Sequence, residues 1–228
     1  MHNNCLNFID ESMLQNLSTI KTILTMKKVT VFSTLLTAFA LMGMSFTNPF
    51  TPEVESLSVN VEKSNIVWNG YKVTGSHTGN IQLKSGKLDF EGDKLVGGSF
   101  EIDMTSITCT DLEGEYNQKL VGHLKSDDFF SVEKNPTAKF VITQVVSRGT
   151  PGDYKIVGDL TIKGITKQIK FFTNVKEENG QKLATSEIKV DRSEFNVRFG
   201  SGSFFDNLGD KTIYDEFDLQ VKLVSSNS

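Results

Sequence analysis

The chain has few of the residues that usually carry chemistry: 2 Cys, 3 His, 1 Trp and only 4 Pro in 228 residues. Two cysteines cannot build a disulfide framework. Three histidines leave little from which to assemble a catalytic zinc centre, which takes three protein ligands. Excess positive charge is missing too. The net charge of −4 argues against nucleic acid as a partner, because phosphate binding needs clustered Lys and Arg. Disorder is excluded by a 38% apolar content, and a multi-span membrane protein by the 23% of charged residues. What the chain has in surplus is Phe, 17 in all, including the adjacent pairs Phe129-Phe130, Phe171-Phe172 and Phe204-Phe205.

There is one long apolar run, Val29 to Met44, directly after Met26-Lys27-Lys28. A short basic stretch, an apolar run and small residues such as Gly43 and Ser45 form the pattern of a secretory signal peptide, expected here over 26–45. The run is shorter than the roughly 20 residues that span a bilayer. No stable membrane span is therefore expected after cleavage, and the protein is expected to be periplasmic or secreted. Residues 1–25 then form an upstream extension, with translation expected to start at Met26. Removing 1–45 takes away Lys21, Lys27 and Lys28 against Asp10 and Glu11, so the remainder is more acidic. It also removes Cys5, leaving Cys109 alone and no intramolecular disulfide.

Residues 46–56, with Pro49 and Pro52, read as an extended linker, and 57–225 as the folded domain. The dominant signal there is alternation of apolar and polar residues, the period of a half-buried strand. Phe217, Leu219, Val221 and Leu223 alternate with Asp218, Gln220 and Lys222; the stretches around 100–104, 154–163 and 169–176 behave alike. Further strands are expected near 57–62, 65–73, 77–91, 138–147 and 182–191, with turns at Glu91-Gly92-Asp93, Gly149 to Gly152, Lys163-Gly164 and Asn179-Gly180. Helical spacing occurs once. Thr110-Asp111-Leu112-Glu113 reads as a capping box, followed by Leu112, Tyr116, Leu120 and Leu124 at i+4. Eight or nine short antiparallel strands favour a closed barrel or a sandwich, with the helix across one end or seam.

Catalytic motifs are sparse. His77 and His123 are 46 positions apart, with no short metal-ligand spacing around either. Asp206, Asp210, Asp215 and Glu216 lack the register of a calcium loop and read as a solvated face. There is no G-x-S-x-G elbow, Gly200-Ser201-Gly202-Ser203 lacks what a phosphate loop requires, and Cys109 reads as a small buried side chain. No enzyme, cofactor or metal is implied. Phe129-Phe130 and Phe204-Phe205, on connections, are expected to close the mouth of a cavity; for Phe171-Phe172 a filled core is favoured.

The segments His123-Leu124-Lys125-Ser126-Asp127-Asp128-Phe129-Phe130 and Pro136-Thr137-Ala138-Lys139-Phe140 resemble the signature of the YceI-like family of exported lipid-binding proteins. The resemblance extends through Val157 to Lys167 and to Asp191-Arg192-Ser193-Glu194-Phe195, covering 57–225. It implies an all-β, lipocalin-like antiparallel barrel of about eight strands with one helix near 111–126. It also implies a hydrophobic channel for an isoprenoid or similar amphiphilic lipid, held for transport, storage or sequestration. The sequence departs from the family at Lys72 to His77, in place of a longer hairpin, and in a long Gly200-to-Asp215 loop.

On that resemblance the apolar tail is assigned to Trp68, Phe100, Ile102, Phe129, Phe140, Ile142 and Phe195. The head group, a phosphate or quinone oxygen, is assigned to His123, Lys125, Arg192 and Arg198. An equal alternative has Arg192 paired with a carboxylate and His123 capping the helix. Two other readings stand beside the carrier: a barrel with a packed core acting through its surface, as an envelope stress or interaction module, and an enzyme using His77 or His123. A homodimer is left open.

Overall fold

The computed structural model describes residues 53–226; the upstream extension, the signal peptide and residues 46–52 of the linker lie outside the described residues. Nine strands follow one another: β1 (Val54–Ser58), β2 (Asn65–Lys72), β3 (Gly75–Glu91), β4 (Lys94–Asp103), β5 (Thr137–Ser147), β6 (Asp153–Ile162), β7 (Ile165–Glu178), β8 (Gln181–Asp191) and β9 (Glu216–Val224). One helix, α1 (Gly114–Lys125), connects β4 to β5. The linker expected to reach residue 56 ends earlier, because Val54–Ser58 pairs with Glu91–Lys87 of β3.

All pairings are antiparallel, in the order β1-β3-β2-β9-β8-β7-β6-β5-β4, and β3 also pairs with β4, which joins the two ends. Strands β2 to β9 thus make the closed eight-stranded barrel that the resemblance implies, and decide between the barrel and the sandwich that the alternation leaves open. β1 is a short ninth strand sharing one edge of the long β3 with β2. Closure gives each of the eight barrel strands a partner on both sides, which leaves the barrel without a free edge strand that would template aggregation.

The two ends of the barrel differ. At one end the connections are tight. Asn179-Gly180 joins β7 to β8 with both residues at positive φ (53° and 74°), the geometry of a two-residue I′ hairpin. Lys163-Gly164 makes the same kind of turn at the other end (51° and 73°). That second end also gathers the long connections: residues 104–136 with α1, and residues 192–215 between β8 and β9. We call it the mouth.

After β4 the chain does not leave the barrel at once. A 3-10 turn at Met104–Ser106 is capped by the Asp103 side chain, and residues 106–110 then run along the free edge of β3. There Thr108 N donates to Asn80 O and Thr110 N to Thr78 O, at 2.9 Å each. This close approach requires Gly79. A Cβ at that position would lie 1.8 Å from Thr108 O and 2.7 Å from the Trp68 ring opposite it on β2. Gly79→Ala is therefore expected to lower stability by roughly 2–3 kcal/mol, the cost of overpacking against backbone that cannot move away. Thermal unfolding measures it.

The expected helix is present but shorter, and the capping box does not form. Helix α1 starts at Gly114, which sits at φ 58°, and its N-cap Glu113 makes no side-chain cap. Thr110 and Asp111 are occupied elsewhere: Thr110 Oγ1 donates to Thr78 O, and Asp111 Oδ1 accepts from Thr78 N. No residue of α1 is fully buried, and Tyr116, expected on its apolar stripe, is 74% exposed. The helix is held by few bonds, among them Asn117 Nδ2 to the carbonyls of Cys109 and Leu112 and Lys125 Nζ to Thr105 O. An element with so little buried surface opens at low free energy. Amides of α1 are expected to exchange with solvent at least ~10-fold faster than those of β6 and β7, as hydrogen-exchange mass spectrometry would read.

Candidate functional site

Inward-facing side chains of a barrel this size either fill it or leave room for one small ligand. Here they leave room. Two apolar compartments that share part of their lining lie inside the barrel. The inner one is lined by Phe100, Ile142, Ile156, Ile169, Phe171 and Ile188 among others, the outer one by Trp68, Ile107, Leu124, Phe129, Phe130 and Phe217. Ile66, Ile102, Leu160 and Leu219 border both and mark the junction. For the centre of a water-sized sphere the free volume is about 100 Å³ in the inner and about 140 Å³ in the outer compartment. That is well above the ~10–15 Å³ that admits a single water, so the interior is not a packed core.

Local sequence creates this space. Small residues face inward where large ones would close the bore: Ala184 on β8, and Thr173 with Ser186 across β7 and β8. A Cβ on Gly158 would lie 2.3 Å from the Phe140 ring, so glycine there lets that ring lie flat across β6. The inward hydroxyls are satisfied among themselves. Ser186 Oγ donates to Thr173 Oγ1 at 2.7 Å and Thr173 Oγ1 to Thr185 O at 3.0 Å, leaving an effectively apolar wall.

The mouth is roofed by aromatic rings. Phe129 and Phe130 pack edge to face (5.0 Å), and Phe130 meets Phe217 at 6.5 Å. Lys163 Nζ ties this roof down by donating to Phe129 O (2.9 Å) and Asn196 O (3.3 Å); burial pushes its ammonium below the ordinary lysine range. The far wall comes from the 192–215 connection. Ile213 bridges to Lys72, and Tyr214 N donates to Tyr71 O, which lays this segment beside the end of β2.

Among the described residues one charged side chain lines either compartment: Arg192, 2% exposed, just after β8, on the wall of the outer one. Its Nε donates to Tyr214 O (3.1 Å), Nη1 to Val197 O (2.8 Å) and Nη2 to Ile213 O (2.9 Å). Nη2 is 3.3 Å from Asp215 Oδ1, and the guanidinium carbon sits 5.2 Å from the Phe129 ring centre. Burial pulls its pKa down, and Asp215 and then Asp191 pull it back. A guanidinium stays protonated throughout. Asp215, read from sequence as part of a solvated acidic face, is instead largely buried and partners this cation, with Ser203 donating to its other oxygen at 2.6 Å.

Of the tail residues expected from the sequence, Trp68, Phe100, Ile102, Phe129, Phe140 and Ile142 line the channel. Phe195 does not. It is fully buried in the core beneath the 3-10 turn Arg192–Phe195. Of the four head-group residues, only Arg192 borders the channel, and it is the paired cation of the alternative. His123 is wedged between Phe129 (5.7 Å) and Phe199 (4.3 Å) and caps nothing with its ring. Lys125 donates to Thr105 O, and the exposed Arg198 binds Asn196 and covers the Phe204 ring. The Phe pairs resolve differently from one another. Phe129-Phe130 roof the mouth as expected. Phe171 faces the channel while Phe172 is 56% exposed on the outer face, stacked under Arg148. Phe204 and Phe205 are exposed and line neither compartment, because their loop folds outward.

His77 and His123 do not share partners. His77 Nδ1 pairs with Asp111 Oδ2 at 3.0 Å, beside the Cys109 thiol, which donates to Asp111 Oδ1 at 3.0 Å. Burial, then the bond to Asp111, pushes the thiol pKa up, which disfavours the thiolate that acts as nucleophile or metal ligand. Among the described residues no group of three or more His, Cys, Asp or Glu is placed to hold a metal ion, and no helix is long and apolar enough to cross a membrane. Burial raises the Asp111 carboxyl, but bonds from Cys109, Thr78 and His77 outweigh it and hold the group below the ordinary carboxylate range. Asp89 is depressed likewise. A depressed carboxylate contributes stability that is present above its unfolded pKa and lost as pH falls through the folded one. Unfolding midpoints are accordingly expected to be level from neutral pH down to about 4 and to fall below it.

Comparison with known proteins places this geometry in a wider group. Residues 57–225 match the model of the YceI-like domain. A UPF0312 protein of Shewanella denitrificans is 37% identical over 84 residues, and one of Pseudomonas putida 31% over 102. These stretches span 41% and 50% of the relatives' own lengths, so the chain matches no more than about half of them. In fold it is similar to Burkholderia cenocepacia BcnA (TM-score 0.61, 22% identity, 74% of this chain and 99% of that one). It is also similar to a polyisoprenoid binding domain from Saccharophagus degradans (TM-score 0.57, 14% identity, 77% and 100%). With the family model matching residues 57–225, most of the sequence, the chain belongs to the YceI-like domain family.

Proposed function

We propose that this protein is an exported binding protein, not an enzyme, which holds the chain of an isoprenoid or similar long amphiphile in its barrel and carries or sequesters it. The observation that carries the reading is the pair of adjoining apolar compartments inside the barrel beneath a roof of aromatic rings. Burial of an apolar chain contributes ~0.8 kcal/mol per methylene. A membrane offers nearly the same gain, so the protein competes by fit along the bore and by shielding the chain in water. Export, to the periplasm or beyond, rests on the basic-apolar-small pattern at 26–45. The Saccharophagus domain of the same fold is described as polyisoprenoid-binding, which adds support for the ligand class.

Protein purified from its native envelope under non-denaturing conditions should release one long-chain amphiphile per protomer on organic extraction, detected by mass spectrometry. Repeated absence of any such lipid, together with no uptake of added prenyl alcohol, would remove the reading.

A further inference from the structure

We propose that the channel selects amphiphiles with an uncharged polar head, such as an alcohol, phenol or quinone, over prenyl phosphates and fatty-acid carboxylates. This rests on the lipid-binding reading above and deepens it. The argument is one of charge. Arg192 is the only charged side chain bordering either compartment among the described residues, and its charge is already matched by Asp215 at 3.3 Å. Its hydrogen-bonding capacity is partly used as well. A guanidinium has five N–H donors. Three go to the carbonyls of Tyr214, Val197 and Ile213, which leaves two, and Nη2 also lies 3.3 Å from Asp215 Oδ1 as an ion pair without a hydrogen bond.

Two N–H donors on a cation whose charge is already matched suit a hydroxyl or carbonyl oxygen. They do not neutralise a phosphate monoester, which has three acceptor oxygens and a charge of about −1.5 to −2 at neutral pH. A carboxylate would compete with Asp215 for the same cation. The three other cations assigned to the head group or tying down the roof are committed elsewhere: Lys163 donates to two carbonyls, Lys125 to Thr105 O, and Arg198 is held by Asn196 over Phe204. Trp68 Nε1, which could serve a head group, donates to Thr108 O at 3.0 Å. An anionic head drawn to Arg192 would therefore be buried with net negative charge, which low-dielectric surroundings penalise heavily.

The test is displacement of a bound fluorescent apolar probe, 1-N-phenylnaphthylamine, from the wild-type protein by geranylgeraniol, geranylgeranyl phosphate and palmitate, each below its aggregation concentration. The alcohol is expected to displace the probe at a concentration at least ~10-fold lower than either anion, a difference of ~1.4 kcal/mol. Asp215→Asn, which leaves Arg192 with an unmatched charge, is expected to shift the alcohol-to-phosphate ratio at least ~10-fold toward the phosphate. Equal or tighter binding of the phosphate by the wild type overturns head-group selection while leaving the lipid-binding reading intact. If neither the probe nor any of the three ligands binds, both fall together.

Discussion

Leu219→Trp is expected to convert the protein from a long-chain to a short-chain binder. Leu219 faces inward on β9 and borders both compartments, so an indole there divides the channel at its junction with Ile66, Ile102 and Leu160. The outer compartment, under Phe129 and Phe130, stays open. A chain that reaches past the junction loses its inner segment. If about four methylenes are excluded at ~0.8 kcal/mol each, the loss is ~3 kcal/mol, or ~100-fold in affinity. A chain short enough to end in the outer compartment should bind within a few-fold of wild type. Native mass spectrometry across a series of prenyl alcohols of increasing length reads both arms. Uniform affinity across the series would show that ligands do not pass the junction.

Arg192→Met is expected to be the most destabilising single change at the site. It removes the donor of three main-chain hydrogen bonds and strands Asp215, one of whose oxygens is buried with no hydrogen-bond partner of its own. Breaking a buried pair by deleting one partner costs about 3–5 kcal/mol. The effect should appear as a large drop in the denaturant midpoint with little change in slope. The double variant Arg192→Met with Asp215→Asn should recover part of the loss, because the stranded charge goes with its partner. Additive losses in the double variant would mean that the pair contributes nothing beyond the carbonyl bonds. The same residues hold the 192–215 connection against the mouth, so ligand retention is expected to fall together with stability.

How far the sequence could be read follows from which forces leave a local signature. The strands were legible because each has one face in water and one toward the bore; the alternation of Phe217 to Leu223 is that geometry written along the chain. The two-residue turns were legible because positive φ demands residues such as Asn179 and Gly180. The start of α1 was misread because a capping box is a local pattern, while Thr110 and Asp111 are claimed by β3, more than thirty residues earlier in the chain.

The same distinction separates the tail residues from the head group. Trp68, Phe100, Ile102, Phe140 and Ile142 face the bore because strand parity places them there. Phe195 lies outside any strand, where parity gives no guidance, and the 3-10 turn directs it into the core. For His123, Lys125 and Arg198, charge type was readable but direction was not. Each bonds to neighbours that only the folded mouth brings near. The contributions of Leu124, Phe130, Ile213 and Phe217 to the outer compartment arise from three separate segments meeting at one end of the barrel. An amphipathic stripe at Leu124 and the alternation at Phe217 were the available hints.

The central claim, that a chain lies inside the barrel and not on its surface, can be tested through Trp68. It is the only tryptophan in the sequence, and it lines the outer compartment. A prenyl alcohol carrying bromine on its chain quenches indole fluorescence on contact. Titration is predicted to quench Trp68 saturably at one ligand per protomer, with unlabelled alcohol reversing it by competition. Binding of the brominated lipid, detected independently, without quenching of Trp68 would contradict the account.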